Sequence, residues 1–240
     1  MSAAPDDDQA TRTQDATPAE KPAPVPVVEA QHLGLVGPEG PVFTDVSLSV
    51  APGRLTVLVG PGDSGRSSLL LALAGRMRGC TGTVRWQGRS VRSSRDLRAL
   101  RHGTSVARIA TLVAPEARLT VAESVVERAL LDGTRTAAAE QAFAAAEDLL
   151  DVHLDRSTVA ERLTPYERSI LAVALALVRP ADLVVLDDLD ADLDLADQRR
   201  LLDALVHLAA SGPAVLATTT EPSPVPAGAT LVTLTPPQES

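Results

Sequence analysis

The sequence predicts an α/β fold in which a mainly parallel sheet is covered by helices on both faces. Short unbroken apolar runs, such as Leu55–Val59 and Leu183–Leu186, are typical of strands that are buried on both sides. Longer segments with helical spacing lie between these runs, and this alternation favours parallel strands joined by helices. Several helical segments also follow one another between about residues 119 and 179. They predict a helical subdomain inserted into the α/β core.

The first half of the chain is predicted to be rich in strands. Alternating or continuous apolar residues bounded by Gly and Pro indicate each strand, and Pro52-Gly53 indicates a turn. The leucine-rich stretch after the Gly-rich turn at residue 60 indicates the one helix. The predicted elements are strands Val27–Glu29, Val42–Val50 and Leu55–Val59, a helix from Ser67 to about Gly75, and strands Gly82–Gln87 and Ile109–Val113.

The second half is predicted to be mainly helical. Two Thr-x-x-Glu sequences, Thr120–Glu123 and Thr164–Glu167, have capping-box spacing, and Pro165 suits the first helical position. An Ala-rich stretch between them favours a third helix, and Pro180 ends the helix that begins at Thr164. The predicted elements are helices Val121–Leu131, Thr136–Leu150 and Thr164–Val178, strand Leu183–Leu186, helix Ala196–Ser211, and strands Ala214–Thr218 and Thr230–Leu234.

Composition limits the class of protein. The 240 residues suffice for one substantial core, and the formal net charge of −9 argues against a nucleic-acid-binding protein. We predict a folded domain over residues 27–235, between a disordered Ala-, Pro- and acid-rich tail over residues 1–26 and a short tail over 236–240. The sequence has a single cysteine and no signal-peptide pattern, and its longest apolar run is Ile170–Val178. These features predict a cytoplasmic protein that reaches a membrane only through a partner.

A glycine-rich turn connects the apolar run ending at Val59 to the first helix. It reads Gly-x-x-x-x-Gly-Arg-Ser from Gly60 to Ser67, a phosphate-binding loop with Arg66 in the place of lysine. Glycines let the backbone wrap a phosphate chain, and the amides at the helix N-terminus face its negative charge. The predicted nucleotide-binding residues are Gly60, Pro61, Gly62, Asp63, Ser64, Gly65, Arg66, Ser67 and Ser68.

Two carboxylates follow the apolar run Leu183–Leu186. In phosphate-loop proteins the first, here Asp187, holds Mg²⁺ together with the loop hydroxyl, here Ser67. The next carboxylate, Asp188, is the candidate catalytic group, because it can orient or deprotonate an attacking water. The alternative is an acidic, solvated turn, since more aspartates follow as far as Asp194. The position directly after a buried strand favours the functional interpretation.

In the order and spacing of these segments the chain resembles the ATP-binding subunits of ABC transporters, from about Val27 to Leu234. Gly60–Ser67 corresponds to the family's Walker A loop and Leu183–Asp187 to its Walker B strand. Asp188 falls at the position of the catalytic glutamate. Ala191–Asp194 resembles the D-loop, and Leu163–Glu167 lies where the family carries its Leu-Ser-Gly-Gly-Gln signature. The resemblance implies a P-loop NTPase fold of ABC ATPase type.

Two catalytic positions keep their charge but change their shape. Arg66 is positive like the family's lysine, but a planar guanidinium does not occupy the place of a compact ammonium. Because Lys21 is the only lysine in the chain, a general preference for arginine is an equally good explanation of Arg66. Asp188 is one methylene shorter than glutamate, which matters for a base that must reach its proton.

Other positions of the resemblance lose their usual groups. Thr220 stands in place of the switch histidine and Ala114 near the usual glutamine, and the segment His32–Gly37 offers no Tyr or Phe to stack on adenine. In the signature segment Pro165 has no amide hydrogen and Tyr166 is bulky, so the segment is better interpreted as a helix cap than as a clamp for ATP.

The resemblance implies an ATP-binding subunit that binds Mg²⁺ and ATP and works with a separate transmembrane permease. In the family two such chains form a head-to-tail dimer, here a homodimer or a heterodimer, and the changed residues predict slow hydrolysis. One alternative is a catalytically silent nucleotide-binding or regulatory subunit, in which occupancy by nucleotide controls affinity for a partner. Another is a scaffold that binds no nucleotide.

Overall fold

The computed structural model describes residues 24–109 and 112–236. The predicted tails therefore lie outside the described residues up to residue 23 and from residue 237 onwards. In the described part the strands are β1 (Val28–Gly37), β2 (Gly40–Val50), β3 (Leu55–Val59), β4 (Thr81–Trp86), β5 (Arg89–Ser90), β6 (Thr104–Arg108), β7 (Leu183–Leu186), β8 (Ala214–Thr219) and β9 (Thr230–Thr233). The α-helices are α1 (Arg66–Leu73), α2 (Ser94–Gly103), α3 (Val121–Asp132), α4 (Thr136–Leu150), α5 (Pro165–Ala176) and α6 (Leu195–Ala210).

A parallel sheet forms the centre of the domain, with strand order β6-β7-β8-β3-β9. Strands β6, β7, β8 and β3 are buried on both sides, whereas the edge strand β9 is largely exposed. Alternate residues of β3 pack into two different cores. Val57 contributes to a core shared with α3, α4, α5 and α6, and Leu58 to a core shared with α1 and α2. Helices therefore cover both faces, which confirms the predicted α/β fold.

A second sheet, antiparallel and with order β2-β1-β4-β5, packs on the α1 side of the molecule. The sequence indicated three of its strands but not their union in a separate sheet. The strands β1 and β2 form a hairpin whose tip, Gly37–Gly40, lies near the glycine-rich loop. This hairpin supplies one wall of the site described below.

One predicted strand, Ile109–Val113, differs from the structure. Residues 110 and 111 lie outside the described residues, and Ile109 and Val113 form only an isolated bridge to each other, while strand β6 lies earlier. β6 opens with Thr104 and Ser105, whose hydroxyls made the segment look polar in sequence. Both residues are fully buried, and both hydroxyls have a partner there. Thr104 Oγ1 donates to the Leu100 carbonyl at 2.8 Å, and Ser105 Oγ accepts from Arg128 at 3.0 Å.

Helices α3, α4 and α5 occupy the region predicted as a helical subdomain, and the two predicted capping boxes are confirmed. Thr120 and Thr164 each accept a hydrogen bond from the amide three residues on, and each of the two glutamates bonds back to the cap amide. Such reciprocal bonds satisfy the amides that the first turn of a helix leaves unpaired. A 3₁₀ turn, Ala160–Arg162, leads into the second cap.

Glu147 on α4 is a buried carboxylate that is 2% exposed and paired with Arg156. Burial raises its pKa, but the hydrogen bonds from Arg156 and from the Leu154 amide lower it more, so the pKa of Glu147 lies below its usual value. The unfolded chain therefore binds this proton more readily. The stability that Glu147 contributes is present above its unfolded pKa of about 4.3 and is lost as the pH falls through the lower folded value.

We therefore expect acid unfolding to depend on Glu147. Urea unfolding is measured from neutral pH down through the unfolded pKa of about 4.3, and the wild-type protein should lose stability over this range. Glu147→Gln should be less stable than wild type at neutral pH, but its free energy of unfolding should change less with pH. Equal pH dependence in both proteins would contradict this role. Glu127→Gln, a change of an exposed carboxylate on α3, is the control.

Candidate phosphate-binding site

The glycine-rich loop connects the carboxyl end of β3 to the first turn of α1. The Gly60 amide donates to the Thr219 carbonyl at the end of β8, at 3.3 Å, and the Leu69 amide donates to the Gly65 carbonyl at 2.8 Å. β3 and β8 are neighbours in the parallel sheet, and β7 lies beside β8. The structure thus brings the loop and the carboxylates after β7 to the same edge of the sheet, where ligands bind in open α/β folds.

Two glycines of the loop are required by their surroundings. Gly65 has a φ of 79°, and a Cβ there would lie 2.4 Å from the Val42 carbonyl oxygen. A Cβ on Gly60 would lie 2.6 Å from the Leu234 carbonyl oxygen. Gly62, in contrast, has no atom within 4 Å of the corresponding position. Gly60 and Gly65 therefore let the loop pack against the neighbouring backbone.

A cleft of about 570 Å³ opens between the loop and the β1–β2 hairpin. Most of the predicted nucleotide-binding residues line it, whereas Gly60 and Gly62 do not. The hairpin wall was missed from sequence, because no motif marks it. No aromatic ring lines the cleft in the described part of the chain, and His32 is exposed and paired with Asp45 at 2.6 Å. The lining residues are Gly37–Val42, Pro61 and Asp63–Ser68.

Arg66 turns its guanidinium back across the loop. The side chain is only 8% exposed, and Nη1 donates to the carbonyl of Gly60 and, at 3.1 Å, to that of Pro61. Nη2 donates to Asp188 Oδ1 at 3.1 Å. The two sequence motifs are therefore joined directly by an ion pair, and the positive charge at the loop is shared with a carboxylate.

Asp187 is fully buried and half satisfied. Its Oδ1 accepts from the Thr218 hydroxyl at 2.6 Å, whereas Oδ2 has no hydrogen-bond partner in the described structure. A buried carboxylate oxygen without a partner is costly unless a cation or a water meets it. Ser67 lines the cleft at the loop, whereas Asp187 does not line it. A carboxylate oxygen and a hydroxyl are the kinds of ligand that suit a hard cation such as Mg²⁺.

The backbone of Asp188 is held in a left-handed conformation with φ 45°. Its amide donates to Thr218 Oγ1 at 2.8 Å, and its carbonyl accepts from Arg108 Nη2 at 2.6 Å. Burial, then the charge of Asp187, raises the pKa of Asp188, and the contact with Arg66 opposes this rise. Asp188 is thus a carboxyl group that takes up a proton more readily than an exposed one.

Arg108 at the end of β6 is a site residue that sequence reasoning missed. Besides the Asp188 carbonyl, it contacts the Asp187 carbonyl through Nε at 3.4 Å and Ser169 Oγ on α5 through Nη1 at 3.2 Å. It therefore links the carboxylate-bearing turn to the helical region. The only signal in the sequence was a charged residue directly before the apolar run that begins at Ile109.

Thr220, at the position of the family's histidine, is engaged by Asp190. Its amide donates to Asp190 Oδ2 at 2.9 Å, and its hydroxyl donates to the same oxygen. Ala114 lies farther along the same edge, in a second cleft of about 430 Å³ that is also lined by Asp188 and Arg108.

The signature segment is a closed helix cap in this structure. Tyr166 is 7% exposed, and its ring lies beneath the Arg200 guanidinium, 4.2 Å from the ring centroid. Thr164 and Glu167 use their side chains in the capping box. The predicted bulk of Tyr166 is therefore turned into the domain rather than outwards.

In residues 24–109 and 112–236 no group of three or more His, Cys, Asp or Glu side chains is arranged to hold a metal ion. A cation at this site would thus have to be shared between few protein oxygens and its ligand. No helix of the described chain is both long enough and apolar enough to cross a membrane.

Comparisons with known proteins agree with this architecture. A family model described as ABC transporter matches residues 43–191, more than half of the chain. The cytochrome c biogenesis ATP-binding export protein CcmA of Bordetella parapertussis is 35% identical over 209 residues, 80% of this chain and 83% of that protein. A putative ribose/galactose/methyl galactoside import ATP-binding protein of Rhizobium meliloti is 30% identical over 167 residues, which are 70% of this chain. The chain spans only 33% of that longer relative.

Solved structures show the same fold at low sequence identity. CbiO1 from Clostridium perfringens, part of an ABC transporter complex, superposes with a TM-score of 0.68 at 15% identity, over 82% of this chain and 78% of that one. The ADP conformation of an ATP-binding cassette of another ABC transporter gives a TM-score of 0.68 at 16% identity and covers 82% of each chain. Sequence and fold together place the chain in the family of ABC transporter ATP-binding subunits.

Proposed function

We propose that this chain binds Mg·ATP at Gly60–Ser68 and couples ATP binding and slow hydrolysis to a separate membrane partner. The observation that carries the proposal is the unpartnered, buried Oδ2 of Asp187 beside a loop whose two constrained glycines are intact. Such a loop presents amides to phosphates, and such a carboxylate requires a cation or a water.

Each group at the site has a separate role in this proposal. Loop amides and the N-terminus of α1 bind the phosphates, and Ser67 and Asp187 hold Mg²⁺, which supplies charge neutralisation at the phosphates when bound. Asp188 orients the attacking water and accepts its proton at a carboxylate oxygen. Arg66 contacts the terminal phosphates, for which its guanidinium must leave the loop carbonyls and Asp188.

The contacts of Arg66 and Thr220 support slow turnover. The Asp188 carboxylate is held by Arg66, which must move away before that oxygen can contact a water, and Thr220 is already occupied by Asp190. Losing one catalytic donor typically costs about 10²–10³ in rate. The same two contacts favour the second candidate function, a nucleotide-binding or regulatory subunit that does not hydrolyse ATP. An ATPase assay of the protein with its partner distinguishes the two.

The proposed assembly is a head-to-tail dimer, homomeric or heteromeric, on a transmembrane permease. It would place the chain in the cytoplasm, at the inner face of the cell membrane. The names of the relatives support an ATP-driven transport role, because one is an import and one an export ATP-binding protein. Nucleic acid is not a proposed partner.

Calorimetry of ATP binding with and without Mg²⁺ tests the nucleotide site. We expect micromolar binding that requires Mg²⁺, and we expect Ser67→Ala to weaken binding in the presence of Mg²⁺ by about tenfold or more, the cost of one charge-assisted contact. Ser68→Ala, which keeps the hydroxyl of Ser67, is the matched control. Equal Mg²⁺-dependent affinity in Ser67→Ala and wild type would contradict the proposed cation site. No binding at millimolar nucleotide would favour the scaffold.

Arg66→Lys tests how much the loop substitution limits hydrolysis. We expect ATPase activity to rise by about tenfold at most, since lysine removes the guanidinium fork but Asp188 and Thr220 remain changed. The assay is steady-state phosphate release at saturating Mg·ATP, with Arg66→Met as the control that lacks the positive charge. A rise of about 10³ would show that Arg66 alone limits the rate.

A further inference from the structure

Six exposed arginines form a basic surface on a chain whose net charge is −9. Three lie on α2, and the others lie directly before it, on β5 and after α1. We define this arginine face as Arg76, Arg89, Arg92, Arg95, Arg98 and Arg101. None of the six has an acidic partner within 4.0 Å among the described residues.

The fold exposes these arginines together, and the Arg76 guanidinium also donates to the Ala74 carbonyl at 2.9 Å. On α2, Leu100 is buried, while Arg95, Arg98 and Arg101 recur at three-residue spacing on the other side of the helix. Arg101 donates to the Gly75 carbonyl at 2.6 Å, which brings Arg76 to the carboxyl end of the helix.

Two carboxylates, Asp96 and Asp182, border this surface in the described structure, against six arginines, and Asp182 Oδ2 accepts from Gln87 Nε2 at 3.1 Å. Asp96 is used in the α2 capping box, where Ser93 holds its carboxylate. At the other end, Asp132 is paired with Arg128 and Arg179. Burial, and then the charges of Arg179, Arg101 and Arg128, lower the pKa of Arg76. Positive charge is therefore in excess along the whole arginine face.

The N-terminal segment reaches the folded domain beside this surface. Val25 lies against Gly88, in the turn between β4 and β5, and the Gln87 amide donates to the Val27 carbonyl at 2.9 Å. Arg89 is the next residue after Gly88. Preceding Val25 along the chain are Asp6, Asp7 and Asp8, followed by Asp15 and Glu20, against Arg12 and Lys21.

We propose that the acidic segment around Asp6–Asp8 docks on the arginine face of its own chain. About 17 residues separate Asp7 from Pro24, and a random coil of that length has a root-mean-square span of about 23 Å. α2 itself is about 15 Å long, so the segment can reach every arginine of the face. Tethering gives it an effective concentration in the millimolar range, which suits several weak, exposed ion pairs.

Paramagnetic NMR on the full chain tests the docking. A nitroxide is attached to a cysteine introduced by Ser2→Cys in a Cys80→Ser background, and amide signals of α2 are recorded. We expect these signals to be broadened at about 0.01 M salt and restored at about 1 M, where the Debye length falls from about 30 Å to about 3 Å. The triple change Asp6→Asn, Asp7→Asn, Asp8→Asn should also restore them.

The matched control removes three exposed charges elsewhere, with Asp148→Asn, Asp151→Asn and Asp203→Asn, and should leave the broadening unchanged. Absence of broadening, or broadening insensitive to salt and to the N-terminal changes, would overturn the proposal. Broadening seen only between differently labelled molecules would assign the face to a second copy. Binding of phosphatidylglycerol vesicles that requires Arg95 and Arg98, without intramolecular broadening, would assign it to a membrane.

Discussion

Replacing Gly65 with alanine is expected to abolish nucleotide binding and to lower the free energy of unfolding by about 2–4 kcal/mol. At φ 79° a side chain is strained whatever the space, and here the new Cβ would lie 2.4 Å from the Val42 carbonyl oxygen. Because that oxygen belongs to the backbone of β2, it cannot move aside without shifting the hairpin wall of the cleft. Urea unfolding and calorimetry measure the two effects.

Gly62→Ala is the matched control for this change. Nothing lies within 4 Å of a Cβ at Gly62, so its free energy of unfolding should change by no more than about 0.5 kcal/mol. If the two variants bind nucleotide equally well, the close approach of the loop to β2 has no role in the site. If both lose binding at full stability, the loop must change shape around its ligand.

The loop and its two flanking elements could be predicted because their chemistry is local. An unbroken apolar strand, glycines at fixed spacing and a leucine-rich helix leave few alternatives, and the structure confirms β3 and α1 within two residues. The capping boxes of α3 and α5 were equally local, because the cap and the residue three positions on satisfy each other.

Helix α2 and strand β6 could not be recognised in the same way. α2 buries little besides Leu100, so its sequence reads as charged and irregular, although Ser93 and Asp96 form a capping box at its start. β6 buries polar side chains whose hydrogen-bond partners are distant in sequence, such as Arg128 for Ser105. Apolar periodicity does not reveal strands that are stabilised in this manner.

In the site, too, the local motifs could be predicted from sequence, but the contacts between distant residues could not. The pairing of Arg66 with Asp188 joins residues 122 positions apart, and the engagement of Thr220 by Asp190 depends on how β7 and β8 end. The motifs singled out Arg66, Asp188 and Thr220, but only the fold shows that these side chains are already paired with one another or with Asp190. That occupation, rather than residue type alone, is what argues for slow turnover.

Arg108→Met is expected to lower the rate of any ATP hydrolysis by about 10²-fold while changing the affinity for Mg·ATP little. The guanidinium holds the carbonyl of Asp188 at 2.6 Å, opposite the amide that Thr218 holds at 2.8 Å. Without it, one of three backbone contacts of a left-handed residue is lost and the carbonyl keeps only the Ala191 amide, at 2.9 Å. The proposed catalytic carboxylate then gains the small freedom of movement that proton transfer does not tolerate.

Three variants separate this positioning role from a general loss of structure. Arg108→Lys keeps a cation near the carbonyl and should recover part of the rate. Ser169→Ala leaves the contacts of Arg108 with the Asp187 and Asp188 carbonyls intact, removes its contact with α5 and the bond from Ser169 to the Pro165 carbonyl, and should cost less than Arg108→Met. Steady-state rates and calorimetric affinities are compared for each variant. A residue that acts only on Asp188 affects the chemical step and leaves the phosphate loop intact. If the affinity for Mg·ATP and the hydrolysis rate fall together in Arg108→Met, Arg108 supports the whole site instead.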